Sequence, residues 1–247
     1  MTTELQTLID TTVNDFIKTF KIEFSNRDLI VQALKHRSFL MITNEAKTSS
    51  NERLEFLGDA VLDLVMTNFL YQNFPDLPEG DLSKKKAILV SKKVLGKIAA
   101  DLNLGQFILM NKGEEKTGGR TRLKLLANTF ESVVGAIYLD KGYDEAKRFI
   151  DENLIPHHED FVDDNDLQNY KSELLELVQQ FEDVFPVYEL IEERGPDHEK
   201  HFLVQVKVFD KVLAEGTGRS KKSAEQIAAK TALENLRSGA IQFATSE

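Results

Sequence analysis

The sequence contains no cysteine in its 247 residues. Disulfides, thiolate metal sites and a cysteine nucleophile are excluded, and the lack fits a reducing compartment. Long apolar runs are missing as well: none approaches the roughly 18 residues that a membrane helix needs. The opening residues, Met-Thr-Thr-Glu-Leu-Gln, show neither the basic stretch nor the apolar core of a secretory signal. A cytoplasmic protein without a membrane partner is the expectation. Proline is scarce in the first 150 residues, where only Pro75 and Pro78 occur. Net basic charge, the usual mark of a nucleic-acid partner, is lacking too, since the formal net charge is −10.

That acidity is local. Residues 1–150 carry 21 basic and 20 acidic residues, so they are almost neutral. Residues 151–168 hold 7 acids and no lysine or arginine, which accounts for most of the net charge. Residues 169–238 hold 10 basic against 13 acidic residues. Local patches, rather than the overall balance, then decide what is bound.

The order of elements follows from periodicity. Through residue 150 apolar residues recur at three- and four-residue spacing, as at Leu54, Leu57, Val61, Leu64 and Val65, which predicts helix. The run Phe-Pro-Asp-Leu-Pro-Glu-Gly-Asp-Leu-Ser around Pro75 and Pro78 predicts a loop ending in a helix cap. A second loop is expected at Asn111–Arg122, rich in Gly, Lys and Arg, ahead of a long helix from about Leu125 to Leu139. Residues 156–168 are acidic and polar and read as a linker. Beyond them the period switches: a helix over Tyr170–Phe181, an alternating strand from Pro186, a second with Phe202, Val204, Val206 and Val208 on one side, a short third over Lys211–Gly216, and a helix over Ser220–Leu236. The expected fold class is an all-α N-terminal domain, residues 1–152, and an α+β C-terminal domain of order α-β-β-β-α, residues 169–238. An acidic linker spans 153–168 and a tail 239–247.

The densest chemical signal is the run 51–59, Asn-Glu-Arg-Leu-Glu-Phe-Leu-Gly-Asp. Glu52, Glu55 and Asp59 stand at i, i+3 and i+7, on one helical face. Three acids so placed repel one another unless a cation neutralises them, and oxygen-only ligands favour Mg²⁺ or Mn²⁺ over zinc. Asn128 and Glu131 repeat the device at i, i+3 on the later helix. Acids at helical spacing are more often a solvated face, and Asp63, one turn further, keeps that reading. The others are set among Phe56, Leu57, Leu125, Leu126, Phe130, Val133 and Val134, where charge needs a reason.

The string at 51–59 resembles the signature of the ribonuclease III family. So do His36-Arg-Ser-Phe, Glu79-Gly-Asp-Leu-Ser, Gly113-Glu-Glu-Lys-Thr-Gly-Gly-Arg and Leu126-Ala-Asn-Thr-Phe-Glu-Ser-Val-Val-Gly-Ala-Ile-Tyr-Leu-Asp, in the family's order and spacing. The resemblance implies a dimeric endonuclease that hydrolyses double-stranded RNA to 5′-phosphate and 3′-hydroxyl ends, processing ribosomal-RNA precursors and some messenger and transfer RNAs. By the same implication Glu55, Asn128 and Glu131 ligate Mg²⁺, with Mn²⁺ as a substitute. Asp59 and Glu131 are catalytic, Glu52 and Glu79 serve RNA handling or the dimer, and Phe56 inserts into a partner subunit. Asn128 departs from the family's common Asp and removes one negative charge, so a higher metal requirement is expected. The alternative is a double-stranded-RNA-binding protein with weakened or no cleavage.

Residues 169–238 resemble the double-stranded-RNA-binding domain, which reads A-form shape, 2′-hydroxyls and phosphates. Arg219, Lys221 and Lys222 open the last helix, where free N–H groups and the helix dipole favour phosphate; the bland alternative is an ordinary basic turn. The match implies that Lys221 and Lys222 contact phosphates, that His198 in its loop enters a minor groove, and that Ser172 and Glu176 meet another. Leu175 stands where related enzymes often place Gln, so weak, salt-sensitive binding is expected of this domain.

Overall fold

Side-chain caps set where four α-helices of the first unit start. The computed structural model describes residues 2–158, 169–180, 184–196, 199–209 and 211–240. The chain divides into two units, Met1–Leu167 and Gln168–Glu247. In the first, α1 (Thr3–Phe20) begins where the Thr2 side chain accepts from the Leu5 N–H, and α2 (Arg27–Leu34) where Asn26 does the same for Asp28. They are followed by α3 (Leu40–Thr43), α4 (Glu52–Asn73), α5 (Glu79–Leu89), α6 (Lys92–Asp101), α7 (Lys112–Lys116), α8 (Leu123–Lys141) and α9 (Tyr143–Asn153). One core runs through the unit, with Phe16, Leu62, Met66, Phe130, Val133 and Ile137 fully buried. Helix α8 is buried along most of its length, its polar Thr129, Glu131 and Ser132 included. No helix among the described residues is long and apolar enough to cross a membrane.

The second unit has α10 (Tyr170–Gln179), strands β1 (Val187–Arg194), β2 (His201–Val208) and β3 (Lys211–Gly218), and α11 (Lys221–Arg237). The strands form one antiparallel sheet in the order β1-β2-β3. Val206, Val208 and Leu213 meet Leu174 and Val178 of α10 and Ala228, Ala229, Ala232 and Leu233 of α11 in a separate core. Alternation in β2 buries Val204, Val206 and Val208, as a strand with one covered face requires.

The helical first unit and the α-β-β-β-α second unit are the fold class expected from periodicity. Three details differ. The segment Asn111–Arg122 is not plain loop. Asn111 accepts from the Glu114 N–H at 2.8 Å to start α7, and Arg120 donates to the carbonyls of Gly105, Gln106 and Ile108. Its arginines, Arg120 and Arg122, serve as internal ties. Strand β3 runs on to Gly218, because Gly216 and Gly218 pair with Val204 and Phe202. Helix α5 starts behind Pro78, without a side-chain hydrogen bond at its cap. At the front of the expected linker, Leu154 is fully buried and the His158 ring meets Phe69 edge-on, 5.2 Å between centroids. Residues 159–168 and 241–247, most of the expected linker and tail, lie outside the described residues.

Candidate active site and nucleic-acid interface

Two glycines bring α4 and α8 together. A Cβ on Gly58 would lie 1.8 Å from the Glu131 carbonyl oxygen, and one on Gly135 would lie 2.4 Å from that of Leu54. The backbones are therefore in contact, as only residues without a side chain allow. Asn51, buried at the head of α4, adds a tie by donating to Ser132 Oγ at 3.4 Å. This crossing sets Glu55 of α4 beside Glu131 of α8, while Asp59, one turn further along α4, is exposed and acts on Glu131 through its charge.

Glu131 is the buried member, its side chain only 1% exposed. Burial pushes its carboxyl up to about 7, Lys92 pulls the other way, and the neighbouring Glu55 and Asp59 charges add to the rise. One cation serves two acids: Lys92 Nζ donates to Glu55 Oε1 at 3.1 Å and to Glu131 Oε2. The Lys92 ammonium is held above its ordinary range, because these contacts outweigh its desolvation. Glu131 Oε1 and Asn128 Oδ1 are buried and have no hydrogen-bond partner. An open cavity of about 340 Å³ is lined by Asn128 and Glu55, with His36, Glu52, Glu114 and Arg122 among its other walls. Among the described residues, no three His, Asp or Glu side chains form a ready-made ligand group.

The remaining candidates of this unit lie outside that cluster. Glu52 accepts from Ser50 Oγ at 3.3 Å on the cavity wall. Glu79, in the first turn of α5, accepts from Ser83 Oγ at 2.6 Å. Asp63 pairs with Lys86 at 3.2 Å. Phe56 is 83% exposed, with Leu64 and Tyr71 also exposed on the same helix.

In the second unit, Gly216 and Gly218 let α11 lie on β3. A Cβ on Gly216 would come within 2.2 Å of the Ala228 nitrogen. Ser220 caps α11 by accepting from the Ser223 N–H at 3.1 Å, which leaves Arg219, Lys221 and Lys222 exposed at the positive end of the helix. Asn169 caps α10 by accepting from the Ser172 N–H and holds Gln226 of α11 at 3.0 Å. Ser172 and Glu176 are exposed on α10, and Leu175 between them is half-buried. His198 lies outside the described residues.

Residues 26–158 match the family model for Ribonuclease-III-like domains, and residues 170–236 the double-stranded RNA binding motif. The chain is 47% identical over 220 residues to Ribonuclease 3 of Bdellovibrio bacteriovorus, covering 86% of this chain and 91% of that one. The chain belongs to the ribonuclease III family. Its identity to Ribonuclease 3 of Clostridium tetani is 44% over 225 residues, covering 91% of this chain and 94% of the relative. Among solved structures, the nuclease domain of the Campylobacter jejuni ribonuclease III superposes with a TM-score of 0.51 at 44% identity. That match covers 56% of this chain and 96% of the other.

Within this ribonuclease III, the pattern of acids does not single out Lys92, Gly58 or Gly135. Each leaves a trace in the sequence. A glycine inside a helix costs up to about 1 kcal/mol relative to alanine, so two of them amid apolar residues signal close approach. Lys92 and Lys93 open a helix, where cations face an unfavourable dipole unless acids lie near.

Proposed function

We propose that this ribonuclease III is a double-stranded-RNA endoribonuclease that uses a divalent cation, with Glu55, Asn128 and Glu131 as its protein ligands. The carrying observation is the convergence of oxygens at the α4–α8 crossing: two carboxylates already share one cation, and Asn128 Oδ1 and Glu131 Oε1 are buried without partners. Such a donor set fits Mg²⁺, with Mn²⁺ as a substitute. Bound there, the ion would lower the pKa of a water and stabilise charge on the phosphate. Asp59, exposed on α4, would accept a hydrogen bond from the attacking water, and Glu131 would share that work. The products are 5′-phosphate and 3′-hydroxyl ends, and ribosomal-RNA precursors with some messenger and transfer RNAs are the substrates the family reading favours.

Exposed Phe56 supports a homodimer in which this ring enters the partner subunit, with Glu52 and Glu79 serving RNA handling or the dimer. Lys221 and Lys222 hold phosphates, His198 enters one minor groove, and Ser172 and Glu176 meet another. Cleavage of long duplex RNA in Mg²⁺ by the wild type, with Glu131→Ala down by on the order of 10³-fold yet still retaining RNA, is the expected result. Retention without cleavage by the wild type would make the chain a binding protein instead.

A further inference from the structure

The ammonium of Lys92 sits where the two proposed carboxylate ligands meet. It is the first residue of α6, with Ser91 as the cap. A cation in the first turn opposes the helix dipole, so this position is unfavourable unless something else holds the charge there. Glu55 and Glu131 do so, one from each of the two crossing helices. The three partners differ in freedom. Glu131 is 1% exposed and fixed in α8, Glu55 is 22% exposed, and Lys92 is 44% exposed on a flexible stem. Lys92 has the most solvent to retreat into. Its one charge also leaves work undone, because Glu131 Oε1, on the carboxylate it holds, and Asn128 Oδ1, one turn earlier in α8, remain buried without partners.

We propose that Lys92 is a built-in competitor of the divalent cation: it neutralises Glu55 and Glu131 in the metal-free protein and must withdraw for the ion to bind. This rests on the reading of Glu55, Asn128 and Glu131 as ligands. The device keeps two facing carboxylates from standing unpaired when no metal is present, and it weakens metal affinity in return. It also compounds the effect of Asn128, since a site already one charge short loses a further charge to the lysine. Removing the ammonium restores that charge without touching any ligand.

The test is Mn²⁺ titrated into the full chain without RNA, with free Mn²⁺ followed by electron paramagnetic resonance. Lys92→Met and Lys92→Gln, each checked for native helicity and melting in chelator, should bind Mn²⁺ about tenfold more tightly than the wild type, as loss of one adjacent positive charge at a partly exposed position demands. Glu131→Gln should lose this binding in either background. Unchanged or weaker binding by the folded Lys92 variants, with Glu131→Gln still abolishing it, overturns the competition while leaving the ligand reading intact. Unchanged binding by Glu131→Gln overturns the ligand reading and the competition with it.

Discussion

The first unit holds its proposed chemistry inside; the second presents it outside. Glu131 is buried in the middle of α8 and reached through a crossing of two helices, whereas Lys221 and Lys222 stand exposed at the first turn of α11. Both units use glycine to let backbones meet, at Gly58 and Gly135 in one and at Gly216 and Gly218 in the other. The consequences differ. In the first unit the close approach assembles the acids themselves. In the second it presses a helix onto a sheet, and the basic residues at the helix start need only stay solvated. Hydrolysis needs carboxylates held in fixed geometry, and the packed interior supplies this for Glu131, while Glu55 and Asp59 stay open to the solvent that provides the attacking water. Reading the shape and phosphates of a duplex needs charge on a surface.

The comparison is broken most severely at the helix crossing. Gly58→Ala places a methyl 1.8 Å from the Glu131 carbonyl oxygen, so α8 must shift. We expect the first unit to lose about 2–4 kcal/mol of stability and most of its cleavage. Gly80→Ala in α5 has nothing within 4 Å of the new methyl and should be neutral, or stabilising by up to about 1 kcal/mol. Urea unfolding of the two variants beside wild type decides this. Equal midpoints for Gly58→Ala and wild type would show that the crossing is looser than the glycines require.

A smaller effect is expected at the surface. Lys221→Ala with Lys222→Ala removes two phosphate contacts and no buried group. Affinity for long duplex RNA should fall by about tenfold at moderate salt, and the salt slope should lessen by roughly two. Single-turnover cleavage at saturating RNA should stay near the wild-type rate. An unaltered slope in a salt series of gel shifts would remove these lysines from the interface.

What could be read from the sequence follows the same division. Periodicity alone delivers the helical first unit and the α-β-β-β-α second unit, because a strand such as β2 alternates and a helix such as α4 repeats every three to four residues. Glu55, Asp59 and Glu131 are legible because helical spacing places acids on faces set among Phe56, Leu57 and Phe130. The partner of those acids is not legible in that way. Lys92 reaches them from a third helix, 37 and 39 residues away in the chain, and no periodic rule links α6 to α4 and α8. The ties of Arg120 are hidden for a like reason: a basic, glycine-rich stretch reads as loop until its carbonyl partners are known. Composition also describes Leu154 and His158 as the edge of a polar segment, while packing against apolar neighbours depends on residues such as Phe69, far off in sequence.

The subtlest consequence of burial is a pH dependence confined to the first unit. The Glu131 carboxyl has an ordinary value near 4.5 and is pushed up to about 7 in the folded chain, chiefly by burial. Between these values the folded protein holds a proton that the unfolded chain has released. Stability therefore falls as pH rises from about 4.5 to about 7, and this group adds no further change above that window. Lys92 works in the opposite sense and elsewhere: its raised value adds stability that is present below the ordinary lysine range and is lost only as pH climbs through the folded value. Neutral-range behaviour thus isolates the glutamate. In chelator at constant ionic strength, the melting temperature of wild type minus that of Glu131→Gln should decline from pH 5 to pH 7 and then level off. Parallel melting curves for the two proteins across that range would mean that Glu131 is already ionised at pH 5, and that the interior of the first unit holds its charge as easily as the surface of the second.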